Sequence, residues 1–283
     1  MASIFIPFLI LGGIGILAGL LLGFASKKFV QEEDPRQQLL RECLPGANCG
    51  GCGFAGCDAY ARAVAAGEVP VGRCGVGGKE TADKMAAIMG VSSDAGQPMV
   101  AFTACCGTKD KAERRFHYYG TSACREASVI PGGSIKSCRY GCLGFGDCVK
   151  ACLFDAIHIK NGIAVVDRDK CRGCRACIEA CPKHLIRMIS KEAAVEVYCS
   201  NCERGLDVKD ICKAGCIGCG ICSRQCPQKA ITMQNDLPVI DHALCDGCGL
   251  CAEKCPVHVL RLIKEEGSSL KDERVQMVPD VVK

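Results

Sequence analysis

From Ile4 to Phe24 the chain runs through 21 apolar residues, and no charged side chain occurs before Lys27. As a helix such a run is about 32 Å long, enough to cross the hydrocarbon core of a bilayer. The pattern predicts an N-terminal transmembrane helix. A cleaved signal peptide is the alternative, but no Lys or Arg precedes the run, and the run is long for a signal-peptide apolar region. Lys27 and Lys28 follow at once, which by the positive-inside rule puts the remaining bulk on the cytoplasmic side. Gly15, Gly19 and Gly23 recur at every fourth position. They make either a face for close approach of another membrane helix or an ordinary set of tolerated glycines.

After the apolar run, the pattern changes. Gln31 to Glu42 is polar and charged and reads as a connector. Asp58 to Ala66 is Ala-rich and opens on an acidic residue, which predicts a short helix. Val91 to Pro131 has no clear period; its basic and aromatic stretch Lys111 to Tyr119 reads as a solvated connecting segment, or else as a docking surface for an acidic electron carrier. Further on, A-I-H-I-K-N-G-I-A-V-V-D predicts two short strands around Asn161-Gly162, and A-I-T-M-Q-N-D-L-P-V-I-D predicts the same around Asn235 and Asp236. The two stretches are 74 residues apart, and the cysteines around them superimpose at that shift without a gap. Internal duplication is the simplest account.

Composition then decides the chemistry. Of 283 residues, 27 are Cys, none is Trp and the net charge is only +4. Without a basic stripe nothing points to nucleic acid. The cysteines sit in C-x2-C runs, better placed to share a metal than to pair as disulfides. Zinc sites usually repeat two C-x2-C pairs, not three evenly spaced cysteines. Iron–sulfur clusters fit best, and the apo chain is expected to fold poorly. The five His residues are scattered and read as surface residues, and no dinucleotide fingerprint, P-loop or catalytic triad is visible.

The strongest signal is the pair of C-x2-C-x2-C-x3-C-P runs from Cys216 to Cys255. In such runs the fourth Cys serves the cluster of the other run. This gives one set of Cys216, Cys219, Cys222 and Cys255, and another of Cys245, Cys248, Cys251 and Cys226. The preceding copy is less regular: Phe145 stands where Cys219 stands, and Leu153 replaces the Pro. Cys171, Cys174, Cys177 and Cys152 form one set there. The other has Cys142, Cys148 and Cys181, with Cys138, four residues upstream, expected to replace the missing ligand. A different spacing, C-x2-C-x4-C-x16-C, joins Cys49, Cys52, Cys57 and Cys74. Five [4Fe–4S] clusters follow. Seven cysteines remain: Cys43, Cys105, Cys106, Cys124, Cys199, Cys202 and Cys212. Of these, Cys199, Cys202 and Cys212 suggest part of a sixth site, completed by Cys124 or Cys106; buried free thiols are the alternative.

The fold class expected is α+β: a membrane anchor (1–26), a small 4Fe-4S domain (32–91), a linker (92–131), two tandem ferredoxin-like units (132–191 and 207–265) and a charged tail (266–283). L-P-G-A-N-C-G-G-C-G-F-A-G-C, then C-R-Y-G-C-L-G-F-G-D-C-V-K-A-C, then C-R-G-C-R-A-C-I-E-A-C-P occur in that order behind the apolar run. In this the sequence resembles the B subunits of the Rnf electron transport complex (called Rsx in some bacteria), over nearly its whole length. The resemblance implies an electron-transfer subunit of a cell-membrane complex that couples electron transfer between reduced ferredoxin and NAD to Na⁺ or H⁺ translocation, with soluble ferredoxin as donor and other complex subunits as partners. The C-terminal units would receive electrons, and the 49–74 domain beside the anchor would pass them inward. An iron–sulfur subunit of another membrane oxidoreductase, such as a hydrogenase or dehydrogenase, is the competing reading, and a corrinoid-protein activator is a third.

Overall fold

The computed structural model describes residues 12–24, 34–93 and 96–263. Residues 12–24 form helix α1, whose large apolar side chains, among them Ile14, Leu17, Leu20, Leu21 and Phe24, are exposed. Among the described residues no helix is long and apolar enough to cross a membrane. The first part of the apolar run, Lys27 and Lys28, and the 266–283 tail lie outside the described residues.

Three helices build the first domain: α2 (Pro35–Cys43), α3 (Cys57–Ala65) and α4 (Gly78–Met89). Asp34 caps α2 by accepting from the Arg36 N–H, and Pro35 sits in the first turn, where its missing N–H costs nothing. Most of the expected connector 31–42 is therefore a packed helix. Its single wholly buried side chain, Leu40, meets Tyr60, Val64 and Met85 in the domain core. Two adjacent leucines, of which only Leu40 is buried, are too weak a period to announce a helix in a polar segment. Gly90, with φ +66°, ends α4 in the left-handed conformation that Gly adopts most readily.

The first ferredoxin-like unit contains β1 (Met99–Thr103), α5 (Cys124–Ala127), α6 (Asp147–Lys150), β2 (Ile157–Lys160), β3 (Ile163–Val166), α7 (Ala176–Glu179) and β4 (Ile186–Ser190). The second contains β5 (Val195–Val197), α8 (Gly205–Ile211), α9 (Ile221–Gln225), β6 (Ile231–Gln234), β7 (Leu237–Ile240), α10 (Leu250–Glu253) and β8 (Leu260–Leu262). In each unit two antiparallel pairs form, β1–β4 with β2–β3 and β5–β8 with β6–β7. The hairpins obey the duplication: Ile157 faces Val166 as Ile231 faces Ile240. Asn161 and Gly162 take φ +45° and +79°, and Asn235 and Asp236 take +48° and +61°. Positive φ at both central residues is the two-residue turn that matches strand twist.

The segment 92–131 is not a linker. Its strand β1 completes the sheet of the first unit, with Val100, Ala101 and Phe102 buried. Within the stretch read as a solvated connection, Ala112 is buried and bridges to Cys212, while Arg114 bridges to Lys136. Strand β5 plays the corresponding part for the second unit. Between the units, the buried carboxylate of Glu196 on β5 receives Arg187 of β4 at 2.6 Å and pairs with His242 Nε2 at 2.7 Å.

Candidate metal centres

All 27 cysteines are free thiols, and short loops and one-turn helices gather them into groups along the molecule. The first group lies in the α2–α4 domain, where Cys49, Cys52, Cys57 and Cys74 line a cavity of about 390 Å³. Gly77 N–H donates to Cys74 Sγ at 3.4 Å, and Asn48 Oδ1 accepts from Cys57 N–H, fixing the loop against α3. Burial raises the Cys74 thiol, the Gly77 N–H lowers it, and the charges of Cys52, Cys57 and Cys49 raise it again.

Cys152, Cys171, Cys174 and Cys177 form the second group. Burial pushes the Cys177 thiol up to about 12, with the charges of Cys171, Cys174 and Cys152 adding to it. Ala101 N–H donates to Cys171 Sγ and Ala156 N–H to Cys152 Sγ, both at 3.3 Å. This group touches the first one. A Cβ on Gly51 would lie 2.6 Å from the Cys174 carbonyl oxygen, so the two cysteine loops meet backbone to backbone.

The third group corrects an expectation. Cys142, Cys148 and Cys181 line one cavity of about 370 Å³, but the fourth thiol there is Cys124, not Cys138. Asp147 at the start of α6 accepts from the backbone N–H groups of Cys124 and Arg125 at 2.9 and 3.0 Å, which delivers Cys124 to the cavity. Phe145 packs on Tyr118 with ring centroids 5.4 Å apart, and both lie against a small core with Cys124, Ala127 and Leu143. The missing Cys at position 145 is thus replaced by an aromatic contact that carries a distant segment, and its thiol, into place.

Cys138 faces a different cavity of about 370 Å³, walled also by Cys105, Cys106, Cys199 and Cys212. Of the three cysteines suggested for an extra site, Cys199 and Cys212 are here, but Cys202 is exposed and outside the wall. Neither Cys124 nor Cys106 completes the set. Cys124 belongs to the third group, and the Cys106 thiol donates to the Ala214 carbonyl at 3.3 Å. Cys105 and Cys138 are the cysteines that join the pair. This cavity lies between the two ferredoxin-like units. Cys142 N–H donates to Cys105 Sγ on one side, and Cys216 N–H donates to Cys199 Sγ on the other, each at 3.4 Å.

Cys216, Cys219, Cys222 and Cys255 line another cavity. Burial pushes the Cys216 thiol up to about 12, the Gly218 N–H pulls against it, and the charges of Cys199, Cys222 and Cys255 add to it. Of the last group, Cys226, Cys245 and Cys251 lie together; burial pushes Cys251 up to about 11, the Ala252 N–H opposes, and Cys245, Cys222 and Cys226 add to the rise. Cys248 is exposed on the same loop, its N–H held by Asp246 Oδ1. Cys43 lies at the edge of the first domain core.

The donor sets fit cubane clusters. Four or more thiols line each of the cavities described above, and backbone N–H groups that donate to sulfur, such as those of Gly77, Ala101 and Ala156, stabilise the thiolate form that ligation requires. Among the described residues no three His, Cys, Asp or Glu donors come close enough to hold a single ion. A [4Fe–4S] cube takes its thiolates at separate corners, so thiols spread round a cavity suit it better than zinc, which draws four donors to one point.

Small antiparallel pairs, one-turn helices and crossed cysteine runs define the class: an iron–sulfur protein of ferredoxin-like units carrying several [4Fe–4S] clusters. Family models agree, matching an Fe-S cluster family at residues 44–76, a 4Fe-4S binding domain at 164–187 and a 4Fe-4S dicluster domain at 215–259. The chain is 42% identical over 241 residues to the B subunit of the Na(+)-translocating ferredoxin:NAD(+) oxidoreductase complex of Acetobacterium woodii, covering 85% of this chain and 72% of that one. It is 38% identical to the B subunit of the ion-translocating oxidoreductase complex of Methanosarcina acetivorans, over 82% of this chain and 88% of that one. It is 39% identical to the B subunit of the proton-translocating ferredoxin:NAD(+) oxidoreductase complex of Clostridium ljungdahlii, over 82% of each. The chain belongs to the family of B subunits of ion-translocating oxidoreductase complexes.

Proposed function

We propose that this chain is the electron-relaying subunit of a membrane complex that couples ferredoxin:NAD electron transfer to Na⁺ or H⁺ translocation. One observation carries the reading: the first two cysteine loops meet at Gly51 and Cys174, and the cavity walled by Cys105, Cys138, Cys199 and Cys212 meets Cys142 on one side and Cys216 on the other. When bound, [4Fe–4S] clusters supply one-electron carriers whose potentials respond to hydrogen bonds and burial. Cys49, Cys52, Cys57 and Cys74 would hold the first, and Cys152, Cys171, Cys174 and Cys177 the second. Cys124, Cys142, Cys148 and Cys181 would hold the third. Cys216, Cys219, Cys222 and Cys255, then Cys226, Cys245, Cys248 and Cys251, would hold two more. Gly51 lets the first loop press against Cys174, and the runs 142–152 and 171–181 exchange their last cysteines.

The exposed apolar side chains of α1 suit lipid, and with the upstream apolar residues they would anchor the chain to the cell membrane. Lys27 and Lys28 favour a cytoplasmic position for the remainder, where thiolate ligands stay reduced. The C-terminal unit would take electrons from soluble ferredoxin, and the α2–α4 domain, next to the anchor, would deliver them to membrane subunits. In complexes carrying Cys49→Ser, ferredoxin-dependent NAD reduction is expected to stop while the C-terminal sites still become reduced. Distal sites that remain oxidised would overturn this direction.

A further inference from the structure

We propose that the cavity walled by Cys105, Cys138, Cys199 and Cys212 binds a further [4Fe–4S] cluster, with the Lys136 ammonium as its counter-charge. The inference rests on the relay just described, because this site supplies the step between the two ferredoxin-like units. The matched family regions leave all four of these cysteines outside.

Three independent features of the wall point to an anionic sulfur-rich guest. The first is the donor set: four thiols that take no part in any other group line one cavity. Burial pushes the Cys138 thiol up to about 12; the Tyr140 N–H opposes, and the charges of Cys105, Cys199 and Cys212 add to the rise. All four cysteines line this one cavity. On ligation each would release its proton to solvent and bind iron as thiolate.

The second is Lys136. It lines the same cavity and is only 4% exposed. Its Nζ donates to two neutral carbonyls, Gly107 at 2.7 Å and Gly162 at 3.1 Å. None of the ion pairs among the described residues includes it. Buried charges are ordinarily paired, because desolvation of a lone ammonium is costly. A thiolate-ligated cluster on the adjacent wall supplies the missing negative partner.

The third is Asn201. It is 1% exposed and lines the cavity, and its Oδ1 accepts from the Glu203 N–H while its Nδ2 has no partner. The third cavity has a matching orphan in Thr103 Oγ1. Donors facing a cluster are satisfied by its sulfides and raise its potential. With a cation and an amide N–H at hand, the bridging site is set to a higher potential than it would have on thiolates alone.

The full chain, reconstituted anaerobically, tests this by iron and acid-labile sulfide counting. The expected content is about 24 Fe per chain, falling to about 20 in the Cys138→Ser/Cys199→Ser double variant. Cys106→Ser and Cys202→Ser should leave it unchanged. Lys136→Met should keep the iron but move the potential of one cluster negative in an EPR-monitored redox titration, whereas Lys136→Arg should not. A wild-type content of about 20 Fe overturns the site whether or not the double variant folds, while a content well below 20 overturns the relay beneath it. An unchanged potential in Lys136→Met removes the counter-charge.

Discussion

The backbone N–H of Cys142 donates to the sulfur of Cys105 across 3.4 Å, and Cys216 repeats the contact on Cys199. The cavity between the two ferredoxin-like units is thus gripped on both sides by residues belonging to its neighbours. Cysteines occur in each of the four buried clusters of the core. Stripping iron should therefore unfold the chain instead of emptying rigid pockets, since ligation free energy of order 10 kcal/mol per metal site is folding free energy in small metal domains. Loss of far-UV dichroism and a collapse of protease resistance on anaerobic chelation would be the expected signs.

Cys124 and Cys138 exchange the roles that chain proximity suggests for them. Cys124→Ser should convert the third cluster to a three-iron form, lowering iron by about one per chain and producing the oxidised three-iron EPR signal. Cys138→Ser should leave that cluster intact. Asp147→Asn weakens the two N–H bonds that bring Cys124 in; charge-assisted bonds of this kind contribute about 1.5–3 kcal/mol each, so it should show a milder version of the same signal. The three-iron signal appearing with Cys138→Ser and not with Cys124→Ser would reverse the assignment.

Gly51 has no room for a side chain, because a Cβ would sit 2.6 Å from the Cys174 carbonyl oxygen. Gly51→Ala must push the first domain away from the ferredoxin-like units, at a cost of about 1–3 kcal/mol for overpacking. The expected result is unchanged iron content with slower reduction of the first cluster from the second, read by freeze-quench EPR.

Glu196 holds β4 and the 241–245 loop together through Arg187 and His242. Its side chain is only 2% exposed. Glu196→Gln removes the charge from both partners and should destabilise the chain by about 1–3 kcal/mol, visible as a lower thermal midpoint for the holoprotein. Equal midpoints would mean that the strands alone fix the two units.

Much of this architecture is legible in the sequence because cysteine spacing and hairpin turns act locally. Asn161-Gly162 and Asn235-Asp236 fall where the alternating residues place them. In the C-terminal unit, Cys255 of the second run lines the cavity of the first with Cys216, Cys219 and Cys222. The bridging site is different. Its cysteines come from four separate segments, each too short to carry a period, and what unites them is tertiary: β1 pairing with β4, and Ala112 bridging to Cys212. Cys124 escaped for a related reason. Its position depends on Asp147 and on Tyr118 packing against Phe145, and Phe145 reads in sequence only as an absent cysteine.

The most direct test of the relay is to break it in the middle. In membrane complexes carrying Cys138→Ser/Cys199→Ser, mixed with reduced ferredoxin and frozen at intervals, the C-terminal clusters should become reduced at the wild-type rate. The clusters of the first ferredoxin-like unit and of the α2–α4 domain should stay oxidised, and NAD reduction should cease. Reduction of both halves at wild-type rates would contradict a single continuous path through this chain.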